Sequence, residues 1–169
     1  AQIFTIFIIV SIINSINFID GVDGLALTYT LKFIILFEFF QSSESNFKIL
    51  SLIIGLSILP LLYFNFKKTN KVFLGDSGSL FLGGLVSIYV INILNNNYLI
   101  KDDFDIHKII FVISILSYPI FDIVRITSLR IIKGHSPFKA DNNHIHHRIL
   151  KLTNSHKKTT ASICVLSVV

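Results

Sequence analysis

Asp76 lies where a basic loop gives way to a long uncharged run, in the stretch VFLGDSGSLFLGG at 72–84. An aspartate directly before an apolar run is typical of a helix N-cap, because its side chain satisfies free backbone N–H groups. A helix start can also bind an anion, or a metal ion together with its anion. This second interpretation gains weight only if other polar groups reach the same side of the molecule.

A second polar stretch, NSINFIDGVDGLA at 14–26, places two amides and two carboxylates three residues apart. On one continuous α-helix, Asn14, Asn17, Asp20 and Asp23 would spread over half of the cylinder. The glycines between them instead favour a broken helix that brings these side chains together. Such a break is tolerated at membrane depth where it is buried in protein or lines a cavity. A hydrogen-bonded turn with capping aspartates is the alternative.

Two further charges, Asp122 and Arg125, stand three residues apart shortly after Pro119. On a helix the two side chains are neighbours and can form an ion pair. Alternatively, Arg125 points at a phosphate, whose oxygens match the guanidinium fork.

The loop at 133–150, KGHSPFKADNNHIHHRIL, is predicted to contain a short helix. We expect Asp141 or Asn142 to cap it, since either residue is favoured at an N-cap. Ile145, Ile149 and Leu152 would form an apolar stripe, so the helix is expected to lie along the membrane interface.

The polar residues of this helix offer several interpretations. His144, His147 and Arg148 would share one face, whereas His146 would point about 200° away from His144. Three histidines with a nearby aspartate can bind zinc, and a pH switch or a solvated polar face are further alternatives. A phosphate clamp fits better, because imidazolium and guanidinium groups beside lysines offer donors only.

The elements that must position these groups are predicted to be membrane helices. Of the 169 residues, 52% are hydrophobic and only 15% are charged, which is typical of a membrane protein. Six apolar segments occur, roughly at 1–16, 24–42, 49–65, 77–95, 108–126 and 159–169, and the four complete ones approach the roughly 20 residues of a membrane span. We therefore predict an all-α polytopic transmembrane bundle of about six spans, forming one integral-membrane domain over 1–169.

Two features of this bundle lead to further expectations. Lys32 falls within the segment 24–42, so it should face other helices or water. The chain contains no Met and begins with Ala1, which indicates a piece of a longer protein.

The charges orient the predicted bundle. Alternating spans place the loops 17–23, 66–76 and 127–158 on one side and the loops 43–48 and 96–107 on the other. Most lysines and arginines fall on the first side, which is therefore predicted to be cytoplasmic. Asp102, Asp103 and Asp105 lie in an opposite loop, interpreted as a solvated turn. The net charge of +5 suits anionic lipid head groups or phosphate substrates, and no nucleic-acid partner is expected.

The motifs NxxNFIDGVDGLA, VFLGDSGSLFLGG and GHSPFKADNNHIHHRIL together resemble the signature loops of the polyprenyl-phosphate N-acetylhexosamine-1-phosphate transferases. The final loop is more similar to the undecaprenyl-phosphate GlcNAc-1-phosphate transferases than to the phospho-MurNAc-pentapeptide transferase branch. The resemblance implies a ten-helix enzyme of the bacterial inner membrane with its active site facing the cytoplasm. It also implies Mg²⁺ (or Mn²⁺), a UDP-N-acetylhexosamine donor, undecaprenyl phosphate as acceptor and UMP as product, in the first lipid-linked step of cell-envelope polysaccharide synthesis.

Carried over residue by residue, the resemblance makes Asp76 the Mg²⁺ ligand and Phe73 a stacking wall for uracil. Asp23 would help hold the nucleotide, with Asn65 as a weaker candidate. The other residues of the matched motifs that are expected at the site are Asn17, Asp20, His144, His146, His147 and Arg148. Catalysis would combine neutralisation of the leaving UMP by the metal with positioning of the attacking lipid phosphate.

One departure from the family pattern indicates that the chain is a C-terminal part. The family's paired aspartates of an earlier cytoplasmic loop have no counterpart here, and Asp102 and Asp103 fall on the opposite side. A phospho-MurNAc-pentapeptide transferase-like specificity, or another UDP-N-acetylhexosamine, is one alternative. A transporter for an anionic solute is another, although its polar groups should lie near mid-membrane.

Overall fold

A computed structural model describes residues 2–42, 46–95, 98–101, 107–134, 136 and 144–167 of the chain. These residues form eight helices and no strand, with one isolated β-bridge between Gln41 and Ile100. The helices are α1 (Gln2–Ile19), α2 (Leu25–Phe40), α3 (Lys48–Asn65), α4 (Gly75–Leu94), α5 (Lys108–Ile115), α6 (Ser117–Ile132), α7 (Ile145–Thr153) and α8 (His156–Leu166).

The predicted helical membrane bundle is confirmed, and each of the six apolar segments falls on helix. Within the described residues, α1, α3 and α4 are long and apolar enough to cross a membrane, and α5 with α6 makes a fourth span if the bent pair counts as one. Helix α2 has 16 residues and α8 has 11, so both are shorter than the roughly 20 residues of a full span. The predicted count of about six therefore exceeds the three to four spans of the structure.

The predicted segment 108–126 is a bent pair of helices whose axes differ by 73°. Pro119 lacks a backbone N–H, so the carbonyl of Ile115, four residues earlier, loses its helical donor. The hydroxyl of Tyr29 on α2 donates to that carbonyl instead, at 2.5 Å. The break at Leu116 is therefore satisfied from a neighbouring helix, and α6 leaves it in a new direction toward the polar end of the bundle.

Helices α1 and α4 pack against each other with their backbones in contact. At Gly83, an added Cβ would lie 2.7 Å from the Cα of Ile13 and 3.0 Å from its carbonyl oxygen, so the two backbones touch without a side chain between them. Near one end of this contact, the Asn17 amide donates to the Ser79 hydroxyl at 2.9 Å. The end of α1 and the start of α4 are therefore held in register.

Lys32, within α2, faces other helices as predicted. The Lys32 ammonium donates to the Ser167 hydroxyl at 2.7 Å and lies 4.1 Å from the centre of the Tyr29 ring. Lys32 thus faces α8, as the cost of a charge in an apolar span requires.

The loops assigned to one side do lie at one end of the bundle. Contacts of Asp23 with Lys71 and His156, and of Gly21 with His146, join the described parts of 17–23, 66–76 and 144–158. At the other end, the backbone of 98–101 pairs with the end of α2, since Ser42 N–H donates to Leu99 at 2.9 Å and Lys101 N–H to Phe40 at 3.0 Å. The prediction about Asp102, Asp103 and Asp105 falls outside the described residues, as do Asp141 and Asn142 themselves.

Candidate active site

Helix α1 runs unbroken to Ile19, and the helix then breaks in the turn 20–24, at the glycines where the sequence predicted the break. Asn14 is exposed and its amide donates to the carbonyl of Val10 within the helix, which separates it from the other polar groups of its motif. Asn17, by contrast, faces α4 through its bond to Ser79. The prediction that all four polar residues of the motif converge is therefore wrong for Asn14.

The turn 20–24 is held in place largely through Asp23. Its carboxylate pairs with the Lys71 ammonium at 2.5 Å, and its backbone N–H donates to His156 Nδ1 at 3.1 Å. Its backbone carbonyl accepts from the Thr160 hydroxyl at 2.8 Å. Asp23 thus joins the loop before α4 to the first turns of α8.

Asn65, the last residue of α3, fixes the same turn from another side. Its side-chain oxygen accepts from Gly24 N–H at 2.5 Å, and its amide donates to the carbonyl of Val72 at 2.8 Å. Gly24 needs to be glycine here, because its φ is +72° and a Cβ would lie 2.2 Å from the Phe66 ring. Both polar atoms of the Asn65 side chain thus bond to backbone groups, one in the turn 20–24 and one in the loop before α4. Asn65 therefore links these two loops of the site.

Asp76 lies exposed in the first turn of α4. The N-cap position is Leu74 and no side chain caps this helix, so the interpretation of Asp76 as an N-cap is wrong. Among the described residues, the Asp76 carboxylate therefore makes no capping hydrogen bond to the backbone at the start of α4.

Asp20 faces two other carboxylates across this end of the bundle. Burial, together with the negative charges of Asp76 and Asp23, raises the pKa of Asp20 to about 7. A group of oxygen donors that repel one another is a chemically suitable environment for a hard cation such as Mg²⁺.

Phe73 is 71% exposed, and the Lys71 ammonium lies 4.7 Å from the centre of its ring. An exposed phenyl ring beside a paired carboxylate and lysine can stack on a flat base. Lys71 thus contacts both Phe73 and Asp23, while the stacking role of Phe73 stays a prediction.

A second cluster forms around Asp122, which is 1% exposed. One carboxylate oxygen accepts from Arg125 Nη2 at 2.9 Å and from Ile145 N–H at 3.0 Å. The other lies 2.7 Å from His144 Nδ1. The ion-pair alternative for Asp122 and Arg125 is thus the arrangement in the structure, while phosphate binding by Arg125 stays a prediction.

The predicted distribution of the histidines around α7 is wrong. His144 is the N-cap residue and has an extended ψ of 149°, so it stands outside the helix. Its ring stacks on that of His146 with centres 5.3 Å apart and planes 12° apart, and both residues are buried. Arg148 is exposed on another side of the helix. The physical reason is that the carboxylate of Asp122 draws in both the His144 ring and the following N–H.

The apolar stripe predicted for α7 is also incomplete. Ile149 packs against the hydrophobic core, but Leu152 is 84% exposed. The helix begins at Ile145 with His144 as its N-cap, so the predicted cap at Asp141 or Asn142 is wrong.

His146 lies deepest in this cluster. Its Nδ1 is 3.3 Å from the Tyr118 hydroxyl, and its Nε2 has no hydrogen-bond partner among the described residues. Burial, together with the neighbouring rings of His147 and His144, lowers the pKa of His146 to about 3. Burial is also the main cause that lowers the pKa of His147. His146 is therefore neutral at physiological pH.

Gly21 lies where the turn 20–24 meets the histidines of the cluster around Asp122. A Cβ at Gly21 would lie 2.5 Å from His146 Nε2 and 3.2 Å from His147 Cε1. The glycine thus lets the turn 20–24 lie directly on the histidines, so all three sequence motifs come together at one end of the bundle.

Among the described residues, one group of three metal-ligating side chains has its ligand atoms within 4.8 Å of one another: Asp122, His144 and His146. Both oxygens of Asp122 already accept hydrogen bonds, so a metal ion there would have to displace a charge-assisted network. The geometry favours a hydrogen-bonded cluster over the zinc site that the histidines alone suggested.

Several residues that hold the site were missed from the sequence: Lys71, Ser79, Tyr118, His156 and Thr160. Only Lys71 carried a signal, since it stands close to Asp76 in a basic loop. The others are common polar residues whose partners lie far away in the chain.

Comparison with known proteins gives the motifs a context. Residues 1–94 match the model for Glycosyl transferase family 4. A protein of Bacillus subtilis (strain 168), described as a probable undecaprenyl-phosphate N-acetylglucosaminyl 1-phosphate transferase, is 37% identical over 117 residues, which are 69% of this chain and 31% of that protein. A decaprenyl-phosphate N-acetylglucosaminephosphotransferase of Mycobacterium leprae (strain TN) is 31% identical over 120 residues, 68% of this chain and 30% of that protein.

A third relative, the undecaprenyl-phosphate alpha-N-acetylglucosaminyl 1-phosphate transferase of Haemophilus influenzae (strain ATCC 51907 / DSM 11121 / KW20 / Rd), is 29% identical over 118 residues, 67% of this chain and 31% of that protein. The chain therefore spans under a third of the length of these relatives. No solved structure matches it.

Proposed function

This chain belongs to glycosyl transferase family 4, and on that premise we propose that its full-length protein is a phosphoglycosyltransferase. It transfers N-acetylhexosamine 1-phosphate, with GlcNAc as the favoured sugar, from a UDP-sugar to undecaprenyl phosphate. An oxygen of the lipid phosphate bonds to the sugar-bearing phosphorus, and the bond from that phosphorus to the bridging oxygen breaks, so that UMP leaves with this oxygen.

The observation that carries the proposal is the contact of Gly21 with His146 and His147. Through it, the carboxylate motif and the histidine motif line one end of the bundle, next to the start of α4. A UDP-sugar and a lipid phosphate meet as two anions, so one site must supply both cationic and metal-binding groups. The juxtaposition of three carboxylates with a basic histidine loop meets this requirement.

The nucleotide is assigned to the side formed by Phe73 and Asp23. The exposed phenyl ring offers a flat apolar face to uracil, and the Asp23 carboxylate accepts hydrogen bonds from a base or ribose. Lys71, which pairs with Asp23, is close enough to compensate phosphate charge. Asn65 acts indirectly, since it holds the turn that carries Asp23.

Mg²⁺ is assigned to Asp76, with Asp20 nearby and Asn17 supporting the start of α4. When bound, the ion would neutralise charge that develops on the departing UMP. The chain's own residues bind and orient: Asp76 stands exposed at the helix start, and Asn17 holds Ser79 one turn along. The oxygen donors and the mutual repulsion at Asp20 suit this ion better than a softer one.

The histidine loop is assigned to the phosphate groups. His147 borders the turn 20–24 at Gly21, and the His144 ring lies beside Phe18 at the end of α1. Arg148 is exposed and can donate to a phosphate oxygen. His146, which is buried and neutral, supports the two rings beside it and the loop at Gly21.

The protein is an integral membrane protein, and we place this end of the bundle in the cytoplasm of a bacterial cell. Most lysines and arginines of the sequence fall in the loops at this end. The soluble UDP-sugar then meets the lipid carrier at the inner face of the membrane, where anionic head groups also attract the basic loops.

The proposal is tested by measuring UMP release from UDP-GlcNAc and undecaprenyl phosphate with the purified full-length protein. Asp76→Asn should abolish nearly all release, since the amide removes the charge that holds the cation, while α4 keeps its start because Asp76 makes no capping bond. Ser77→Ala, at the next exposed residue, is the matched control and should stay active. Full activity of Asp76→Asn at ordinary Mg²⁺ would remove Asp76 from the metal site, and absence of UMP release by the wild type would overturn the proposed function.

A further inference from the structure

We propose that Asp122 is a positioning residue of the reaction: it holds the His144 ring so that Nε2 is the atom offered to a substrate phosphate. This inference rests on the proposed function and deepens it, because it adds to the site a residue that no sequence motif of the resemblance contains. Asp122 lies on α6, 22 residues before the histidine it holds.

The first argument is burial together with complete hydrogen bonding. Asp122 is 1% exposed and His144 is 7% exposed, so their contact is shielded from water. A buried carboxylate is tolerated only when its charge is compensated and its oxygens are hydrogen-bonded. Arg125 supplies a positive charge at 2.9 Å and Ile145 N–H a further donor at 3.0 Å, both to the same oxygen. Among the described residues, the second oxygen has His144 as its partner.

The second argument concerns the two nitrogens of the ring. A carboxylate accepts and never donates, so the contact at 2.7 Å requires a proton on His144 Nδ1. This holds for the neutral ring and for the charged ring alike. Nε2 is then the nitrogen that can gain or lose a proton, or donate to an oxygen, while Nδ1 stays bound to Asp122.

The third argument is that the ring cannot easily turn away. It is stacked on His146 at 5.3 Å and lies 5.7 Å from the Phe18 ring at the end of α1. The backbone N–H after it is bound by the same carboxylate. Asp122 therefore sets the tautomer, the orientation and the backbone conformation of His144 at once, which is how a buried acid orients a histidine for work at its other nitrogen.

The test uses the full-length enzyme and the variant Asp122→Asn. An amide has nearly the same shape and its oxygen can still accept from Ile145 N–H and Arg125. Its NH₂ group, however, would face His144 Nδ1 and require that nitrogen to accept, which moves the ring proton to Nε2. We expect kcat for UMP release to fall by about 100-fold, while UDP-GlcNAc still binds in calorimetry with unchanged stoichiometry. Ser128→Ala, an exposed residue on the same helix, should leave both quantities unchanged.

A second pair of variants separates positioning from mere structural support. In a His144→Gln background, Asp122→Asn should cause no further loss, because the residue through which Asp122 acts is already gone. Equal losses in both backgrounds, or a lowered binding stoichiometry, would overturn the inference in favour of a folding role. Activity of Asp122→Asn equal to that of Ser128→Ala would also overturn it. If the wild type releases no UMP, the proposed function fails and the inference fails with it.

Discussion

The contact between α1 and α4 allows a sharp test of how the fold positions the site, because two adjacent glycines on α4 differ only in what they face. A Cβ at Gly83 would lie 2.7 Å from Ile13 Cα, whereas a Cβ at Gly84 would meet nothing within 4 Å among the described residues. Both positions are inside the same helix and neither has a positive φ. Gly83→Ala and Gly84→Ala are therefore matched variants.

The expected magnitudes follow from this geometry. Alanine favours a helix over glycine by roughly 0.8–1.0 kcal/mol at either position. At Gly83 the new methyl must gain about 0.7 Å to reach ordinary contact at 3.4 Å, and its neighbour is backbone that cannot rotate away. Overpacking of this kind costs about 1–3 kcal/mol, so Gly83→Ala should be less stable than Gly84→Ala by about that amount.

The helix displacement caused by Gly83→Ala should also lower the catalytic rate. Helix α1 carries Asn17 near its end, and its partner Ser79 lies one turn along α4 from Asp76. Misplacement of reacting groups by about 1 Å can cost about 100-fold in rate, so we expect Gly83→Ala to lose between 10- and 100-fold in kcat. Gly84→Ala should keep wild-type activity.

The assay combines thermal unfolding of the purified full-length protein in detergent with UMP release. Gly83→Ala should melt at a lower temperature than the wild type, and Gly84→Ala at the same or a higher temperature. Equal melting temperatures and equal rates for the two variants would refute the reasoning, since they would mean that α1 and α4 are not in backbone contact.

Three further predictions concern charge and orientation. If the histidine loop is a phosphate clamp, His147→Ala and Arg148→Ala should reduce UMP release by similar factors, because each removes a donor to the same anion. Stoichiometric zinc in the purified enzyme, together with an active Arg148→Ala variant, would contradict the clamp. His146 has a folded-state pKa of about 3 against about 6.5 when unfolded. The contribution of His146 to the free energy of unfolding is therefore complete above about pH 6.5, and it declines by about 1.4 kcal/mol per pH unit as the pH falls toward 3. The melting temperature should drop less between pH 7 and pH 5 in His146→Gln than in the wild type. Equal drops in the two proteins would count against a buried neutral ring. Thr69→Cys should be labelled from the cytoplasm and Asn95→Cys from outside; labelling of both from one side would show that the predicted topology is wrong.

The helical membrane class could be predicted from the amino-acid sequence alone, and so could most of the polar residues that the structure brings to one end of the bundle. Long uncharged runs such as 77–95 have one stable form in lipid, because a helix satisfies its own backbone. The motifs around Asp23, Asp76 and His147 also stand out locally, since polar groups are rare in so apolar a chain. Their grouping at one end of the bundle follows from the alternation of spans.

Other features required the tertiary structure, because their causes are distant in the chain. The bend at Leu116 depends on the Tyr29 hydroxyl that takes the carbonyl freed by Pro119, a partner 86 residues away. The helical pattern of the last loop predicted that His144 lies on α7, and this is wrong because Asp122 binds both its ring and the next N–H. The local hydrophobic period indicates which face of a helix is apolar. A buried carboxylate on another helix decides where α7 begins, because its oxygens accept from the His144 ring and from Ile145 N–H.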